Sequence, residues 1–98
     1  MVRPRKCRMV DAEPDVDYFK PRGVRLRELE EVDLSVDELE AIRLKDYKGL
    51  NQNEVAKKMK ISQPSLHRLL ASARKKVAEA LVVGKAIKIH GGNYTLKR

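Results

Sequence analysis

The sequence has a single cysteine, Cys7, no tryptophan, one phenylalanine and three tyrosines. One cysteine cannot form an intramolecular disulfide, which fits a reducing compartment. With so few aromatic side chains, the core has to be built mainly from aliphatic residues and methionine, a composition that favours packed helices over a β-sandwich. No stretch approaches the ~18 consecutive apolar residues of a membrane-spanning helix, and the start, MVRPRKCRMVDAEPD, lacks the apolar segment of a secretory signal. We therefore expect a cytoplasmic protein without a membrane partner.

Patterns of catalysis and metal binding are also missing. No nucleophile stands in a recognisable arrangement with a base, and no glycine-rich phosphate-binding loop occurs. Cys7, His67 and His90 have no metal-ligand spacing. The sequence thus predicts no enzymatic activity, no cofactor and no metal site.

Positive charge is concentrated in one part of the chain. The 98 residues carry a net charge of +8, but residues 1–50 hold 11 basic and 12 acidic side chains. Residues 51–85, in contrast, hold eight basic and two acidic side chains, and the last 13 residues add three basic ones and no acid. A segregated basic surface is typical of a protein that binds a polyanion.

Two short helices are predicted from their capping residues. Ser35 and Glu38 have the S-x-x-E capping-box pattern that begins a helix, and Gly49 is placed to end it. Asn51 and Glu54 repeat the pattern at the start of the second helix. Both predictions depend only on residues three positions apart.

The third predicted helix is the longest. The second helix extends to about Met59, and after a short turn Ser62 caps the third, with Pro64 tolerated in its first turn. Apolar residues then recur at steps of three and four from Leu66 to Leu81, and Gly84 ends the helix.

The two ends of the chain are assigned from turn residues and charge. The start is predicted to form a basic arm and an acidic loop, and the LRELEEV stretch a short helix. In the tail, apolar and polar residues nearly alternate on both sides of Gly91-Gly92-Asn93, a pattern that predicts a short β-hairpin. Three roles stay open for the hairpin: a wing on DNA, a dimer contact or packing alone. The predicted parts are an N-terminal arm and loop at 1–24, a helical domain at 25–84 and a C-terminal hairpin at 85–98.

The second and third helices, joined by a tight turn, match the helix-turn-helix arrangement at about 51–82. Ala56 is the small residue required where the two helices cross closely. Because the leucines of the third helix face the core, Gln63, His67 and Arg68 are predicted to face away, toward the major groove of DNA. Glutamine pairs with adenine and arginine with guanine through two hydrogen bonds each. These three side chains are the candidates for base contact.

Other side chains are predicted to contact the DNA backbone, because they are basic or lie near helix N-termini. In the N-terminal arm, Arg3 and Arg5 can lie extended in a minor groove, or they can form a tail that adds only electrostatic attraction. The backbone candidates are Gln52, Lys57, Lys58, Ser62, Ser65, Arg74, Lys75 and Lys76.

The turn before Ile61 departs from the usual helix-turn-helix pattern. Glycine is common there because the residue adopts a positive φ, but this sequence has Lys60. A left-handed lysine costs on the order of 1 kcal/mol, so either that cost is present or the turn differs.

Several landmarks of residues 34–81 match a known module. They are the capped first helix, the Tyr47–Gly49–Leu50 lead-in, Glu54 with Ala56, Ile61-Ser62 and the run SARKK at 72–76. This segment resembles the fourth region of bacterial sigma factors, which reads the upstream promoter element.

The flanks of that segment narrow the resemblance. The RPRK start, the YFKPRGV–LRELEEV block and the closing GKAIKIHGG are similar to an uncharacterised family of short prokaryotic predicted DNA-binding proteins with a sigma-region-four-like helix-turn-helix. The resemblance implies a mostly α fold with an extended N-terminal arm and a short C-terminal β-hairpin. It implies sequence-specific binding of double-stranded DNA in the nucleoid and a transcriptional regulator, but it supplies no target.

Other functions stay open at this point. The chain could be a protein-interaction module of the transcription machinery that binds RNA polymerase or an anti-sigma partner with little direct DNA contact. A homodimer is also open. RNA binding is less favoured, because no aromatic side chains are predicted on an exposed sheet for base stacking.

Overall fold

The computed structural model describes residues 7–97. A 3₁₀ turn, Leu26–Glu28, precedes the third strand, and a π-helical turn, Arg43–Tyr47, prolongs the first helix. The fold is mostly helical with small sheets, as predicted. Its elements are β1 (Arg8–Val10), β2 (Tyr18–Phe19), β3 (Glu31–Leu34), α1 (Val36–Ile42), α2 (Gln52–Met59), α3 (Gln63–Val83), β4 (Ala86–Ile89) and β5 (Tyr94–Leu96).

All three predicted helix starts are confirmed. At the start of α1 the Glu38 backbone N–H donates to Ser35 Oγ at 3.3 Å, and the Ser35 N–H donates back to the Glu38 carboxylate at 2.9 Å. At α2 the backbone N–H of Glu54 donates to Asn51 Oδ1 at 2.9 Å. At α3 the Ser65 N–H donates to Ser62 Oγ at 3.2 Å. Each cap satisfies a backbone donor that has no partner inside its helix.

Both predicted glycine stops are confirmed. Gly49 (φ 76°) follows the π-helical turn, and beyond it the Leu50 N–H donates to the Leu44 carbonyl at 3.1 Å. Gly84 (φ 84°) ends α3, and its N–H donates to the Ala80 carbonyl at 2.9 Å. These left-handed positions favour glycine because it has no Cβ.

The three helices pack around one aliphatic cluster, with Ala56 5% exposed where α2 meets α3. The predicted apolar stripe of α3 ends at Ala80 and not at Leu81, which is 77% exposed. Leu81 is turned ~100° from Ala80 on the helix, and the other residues of 7–97 leave most of it uncovered. The cluster consists of Ala41, Leu44, Val55, Ala56, Met59, Leu66, Leu69 and Leu70.

The predicted C-terminal hairpin is wrong, although both of its strands exist. β4 lies in the middle of a three-stranded sheet, antiparallel to β2 and parallel to β3. Because both edges of β4 are occupied, β5 pairs instead with β1, in parallel. Gly91 and Gly92 (φ 70° and 101°) redirect the chain from one sheet to the other.

The N-terminal prediction also needs correction. Residues 8–10 and 18–19 are strands joined to the tail, so the described part of 1–24 is not a detached arm. The predicted helix at 26–32 is a single 3₁₀ turn followed by β3. The strand forms because Val32 and Leu34 alternate inward between exposed acids. Arg3 and Arg5 lie outside the described residues.

Candidate nucleic-acid interface

The connection between α2 and α3 is short and its geometry is well defined. Lys60 adopts the left-handed conformation (φ 55°, ψ 47°), and it is the one non-glycine residue with positive φ in the described chain. The Ile61 N–H then donates to the Ala56 carbonyl at 3.0 Å. The backbone geometry usually given by glycine is therefore kept, at a cost of on the order of 1 kcal/mol.

The three candidates for base contact share an exposed face of α3. Gln63, His67 and Arg68 are all exposed, whereas Leu66 and Leu69 beside them are 1% and 8% exposed. The buried leucines fix the rotation of the helix and leave these three side chains exposed, with Gln63 and Arg68 ~140° apart around the helix axis. We call the three side chains the α3 face.

One member of the α3 face is held by the preceding helix. The Gln63 side-chain amide donates to the Asn53 side-chain oxygen of α2. This contact orders a long side chain before any ligand arrives, which reduces the entropy lost on binding. Sequence reasoning did not single out Asn53, since no local pattern marks a residue ten positions from its partner.

The N-terminus of α3 is rich in hydrogen-bond donors. Ser62 Oγ donates to Ser65 Oγ at 2.9 Å, and Arg68 lies one turn further along, 3.4 Å from the Ser65 hydroxyl. The first turn contains no acidic residue. The Ser65 N–H is used by the Ser62 cap and Pro64 has no N–H, so the attraction for an anion here comes from the helix dipole, the hydroxyls and Arg68.

An open groove of about 790 Å³ lies between this helix end and the β1–β5 pair. Three cations line it, and two of them, Arg8 and Lys60, were not among the predicted contacts. Arg8 reaches the groove only because β1 pairs with β5 across the length of the chain, which no local pattern indicates. The lining residues are Arg8, Lys60, Ile61, Ser62, Ser65, Arg68 and Asn93.

A buried carboxylate positions Arg8. The guanidinium Nη1 lies 2.9 Å from Asp37 Oδ2, and the Asp37 side chain is only 4% exposed. Arg8 Nε and Asp37 Oδ1 are buried and have no hydrogen-bond partner among the described residues. Arg8 is thereby tied to α1 at the edge of the groove.

The predicted backbone contacts divide into two groups. Gln52, Lys57, Lys58 and Lys75 are exposed, like Ser62, and Ser65 is half-buried. Two others form ion pairs with side chains of this chain: Arg74 with Asp46 at 2.7 Å on the surface, and Lys76 with the buried Glu38 at 2.7 Å. Arg74 and Lys76 therefore join α3 to the first helix and its π-helical turn, a role that sequence reasoning missed.

Glu38 is the centre of that junction. Its carboxylate accepts hydrogen bonds from the Ser35 backbone N–H and hydroxyl, from Lys76 Nζ at 2.7 Å and from Ser72 Oγ at 2.5 Å. Burial alone would raise the pKa of Glu38, but these hydrogen bonds together hold it below the ordinary value of 4.5. Glu38 is thus charged at neutral pH, and it fixes α3 relative to α1.

Within residues 7–97, no helix combines the length and apolar character needed to cross a bilayer.

Comparison with known proteins places the chain among close relatives. The family model described as "Protein of unknown function DUF134" matches residues 1–97. A UPF0251 protein of Thermoanaerobacter pseudethanolicus is 60% identical over 94 residues, covering 96% of this chain and 80% of the relative. Another from Pelotomaculum thermopropionicum is 55% identical over 96 residues (98% and 73%), and one from Halothermothrix orenii is 50% identical over 98 residues (100% and 73%). No solved structure matches.

Proposed function

The chain belongs to the DUF134 family, and we propose that it binds double-stranded DNA sequence-specifically as a transcriptional regulator. In this proposal α2, the turn at 60–62 and α3 act as a helix-turn-helix, and α3 enters the major groove. The observation that carries the proposal is the α3 face. Three side chains suited to base edges stand exposed together on a helix whose rotation is fixed by its buried leucines.

The chemistry of the α3 face suits base recognition. Gln63 can make two hydrogen bonds to adenine and Arg68 two to guanine, while His67 can donate to a base or a phosphate. Side chains near the N-terminus of a helix reach base edges when that helix lies in the major groove. Gln63 is already oriented by Asn53.

The surroundings of the α3 face suit phosphate binding. Lys60 lines the groove beside it, Lys57 and Lys58 are exposed on α2, and Arg8 lines the groove while paired with Asp37. Such contacts set the register of a protein on the duplex without specifying sequence. Arg74 and Lys76 contribute mainly through structure, because both are already engaged with carboxylates.

The test is selection of bound duplexes from a random-sequence pool, followed by titration of the recovered site by fluorescence anisotropy. If about five phosphates are neutralised, log affinity should fall with log salt with a slope near −4.5. Arg68→Ala should weaken the selected site about 5- to 150-fold and relax preference at one base pair. Arg27→Ala removes an exposed cation from the 3₁₀ turn at 26–28 and should change affinity less than about twofold.

Two results would contradict the proposal. One is the absence of duplex binding, or binding that does not depend on salt. The other is equal loss in Arg68→Ala and Arg27→Ala, which would indicate attraction by net charge alone. If the double variant His67→Glu with Arg68→Glu still binds RNA polymerase and the wild type binds no duplex, a protein-interaction module replaces the present proposal.

A further inference from the structure

The far end of α3 carries an apolar surface that the DNA-binding proposal does not use. Leu81, Val82 and Val83 are 77%, 85% and 63% exposed, and the last turn of the helix has no charged residue. Contiguous apolar surface of this kind on a small protein marks a site of interaction.

Other apolar residues extend this surface. Phe19, 53% exposed on β2, lines a groove of about 240 Å³ together with Leu81 and Ile87. Leu26 is 66% exposed in the 3₁₀ turn, four residues before Glu30. The Glu30 carboxylate lies 3.3 Å from Nζ of Lys85, which lines the groove. We define the α3-end patch as Phe19, Leu26, Leu81, Val82 and Val83.

We propose that a second copy of this chain covers the α3-end patch and forms a symmetric dimer. Taking about 150–200 Å² for a fully exposed side chain of this size, the lower part of the range that aromatic side chains bury, the exposed fractions give roughly 500–700 Å² of surface per copy. With all of it covered, two copies bury roughly 1,000–1,400 Å², and a specific interface has to exceed about 1,000 Å².

The shape of the patch suits pairing with itself. A two-fold interface must contain both a projection and the recess that receives it. Val82 is the most exposed of the five side chains, and the groove lined by Phe19, Leu81 and Ile87 lies on the same end of the molecule. One copy therefore offers both parts.

The distribution of charge allows two basic chains to meet here. Lys85 is paired with Glu79 at 2.7 Å and with Glu30, so one of the two lysines in the groove lining is compensated by carboxylates, while Lys20 donates to the Pro21 carbonyl at 3.1 Å. The basic segment of α3 ends at Lys76, six residues before Val82, or ~9 Å along the helix axis. With the two helices end to end, the basic segments of two copies would stand ~18 Å apart, which exceeds the Debye length of ~8 Å at physiological salt.

The dimer does not depend on DNA binding, and it is tested on the full chain without DNA. Sedimentation equilibrium should give a dimer with a Kd of ~10 µM or tighter, and Val82→Glu should weaken it on the order of 100-fold. Tyr47→Glu places the same charge on another exposed side chain (80%), outside the patch, and should leave the Kd unchanged. Thermal melting should show that both variants are folded.

Three outcomes would overturn the dimer. A wild type that stays monomeric at about 100 µM at low and high salt would do so without reference to any variant. A dimer unaffected by Val82→Glu would place the interface elsewhere. A monomer that forms a complex with another protein, lost in Val82→Glu, would show that the patch binds a different occupant.

Discussion

Replacing Glu38 by glutamine should cost this protein much of its stability while changing its shape very little. Glutamine can still accept the hydrogen bond from the Ser35 N–H, so the cap of α1 is largely kept. What is lost is the negative charge that faces Lys76 and Ser72 of α3 at 2.7 and 2.5 Å.

The magnitude follows from the burial of the two partners. Removing one member of a fully buried ion pair costs about 3–5 kcal/mol, because the other charge is left without a partner. Here the Glu38 side chain is 5% exposed, but that of Lys76 is 37% exposed and can turn toward water. We therefore expect a loss of about 2 kcal/mol, or a decrease in Tm of ~8–16 °C for a chain of this length.

Glu79→Gln provides the matched control. It is the same substitution, made on α3, but Glu79 is 42% exposed and its partner Lys85 keeps a second carboxylate, that of Glu30. An exposed pair of this type contributes at most ~0.5–1 kcal/mol. Urea denaturation of the wild type and both variants at pH 7 measures the difference.

The pH dependence of Glu38→Gln supplies a second measurement. The pKa of Glu38 in the folded protein lies below its ordinary value of 4.5. Its charge therefore stabilises the fold fully above pH ~4.5, and this contribution is lost as the pH falls through the lower pKa. The difference in unfolding free energy between the wild type and Glu38→Gln should be constant near neutral pH and should decrease in acid. Equal losses in Glu38→Gln and Glu79→Gln, or a gap that does not change with pH, would refute the reasoning.

Two further substitutions test backbone geometry. Lys60→Gly should remove the ~1 kcal/mol of left-handed strain. Glycine also gains conformational entropy in the unfolded chain, which offsets part of this effect, so we expect a net stabilisation of ~0.5 kcal/mol. It should also reduce the salt slope of DNA binding by ~1, because Lys60 lines the groove beside the α3 face; a destabilised variant or an unchanged slope would contradict this. Gly92→Ala should destabilise by about 2–4 kcal/mol in urea denaturation, because its Cβ would overlap the buried Asp37 carboxylate. Gly91→Ala, which has open space around its Cβ, should cost only ~1 kcal/mol, and equal losses at the two glycines would show that the contact with Asp37 is unimportant.

The helices could be predicted from the sequence because their signals are local. The caps at Ser35, Asn51 and Ser62 each depend on an N–H only three residues away. The exposed side of α3 follows from helical periodicity once its leucines are assigned to the core.

The sheets and ion pairs could not be predicted in the same way, because they join distant residues. β5 has the composition of a hairpin strand, and only the full packing shows that β4 already has two neighbours. Arg74 and Lys76 look like surface cations in the sequence, since their partners Asp46 and Glu38 lie 28 and 38 residues away. The position of Arg8 in the groove could not be predicted for the same reason, because it depends on the pairing of β1 with the distant β5.

The parallel pairing of β1 with β5 also gives the two ends of the described chain different surroundings. β1 begins at Arg8, in the lining of the groove beside α3. β5 ends at the opposite end of the strand pair, where the Lys97 N–H donates to the Val10 carbonyl at 2.7 Å. A fluorophore attached beside Lys97 therefore lies away from the groove, whereas one attached beside Arg8 stands in the groove lining and would compete for that space with the DNA of the proposed function. The polarity of a three-residue strand pair thus determines which of the two strands can be labelled without obstructing the groove.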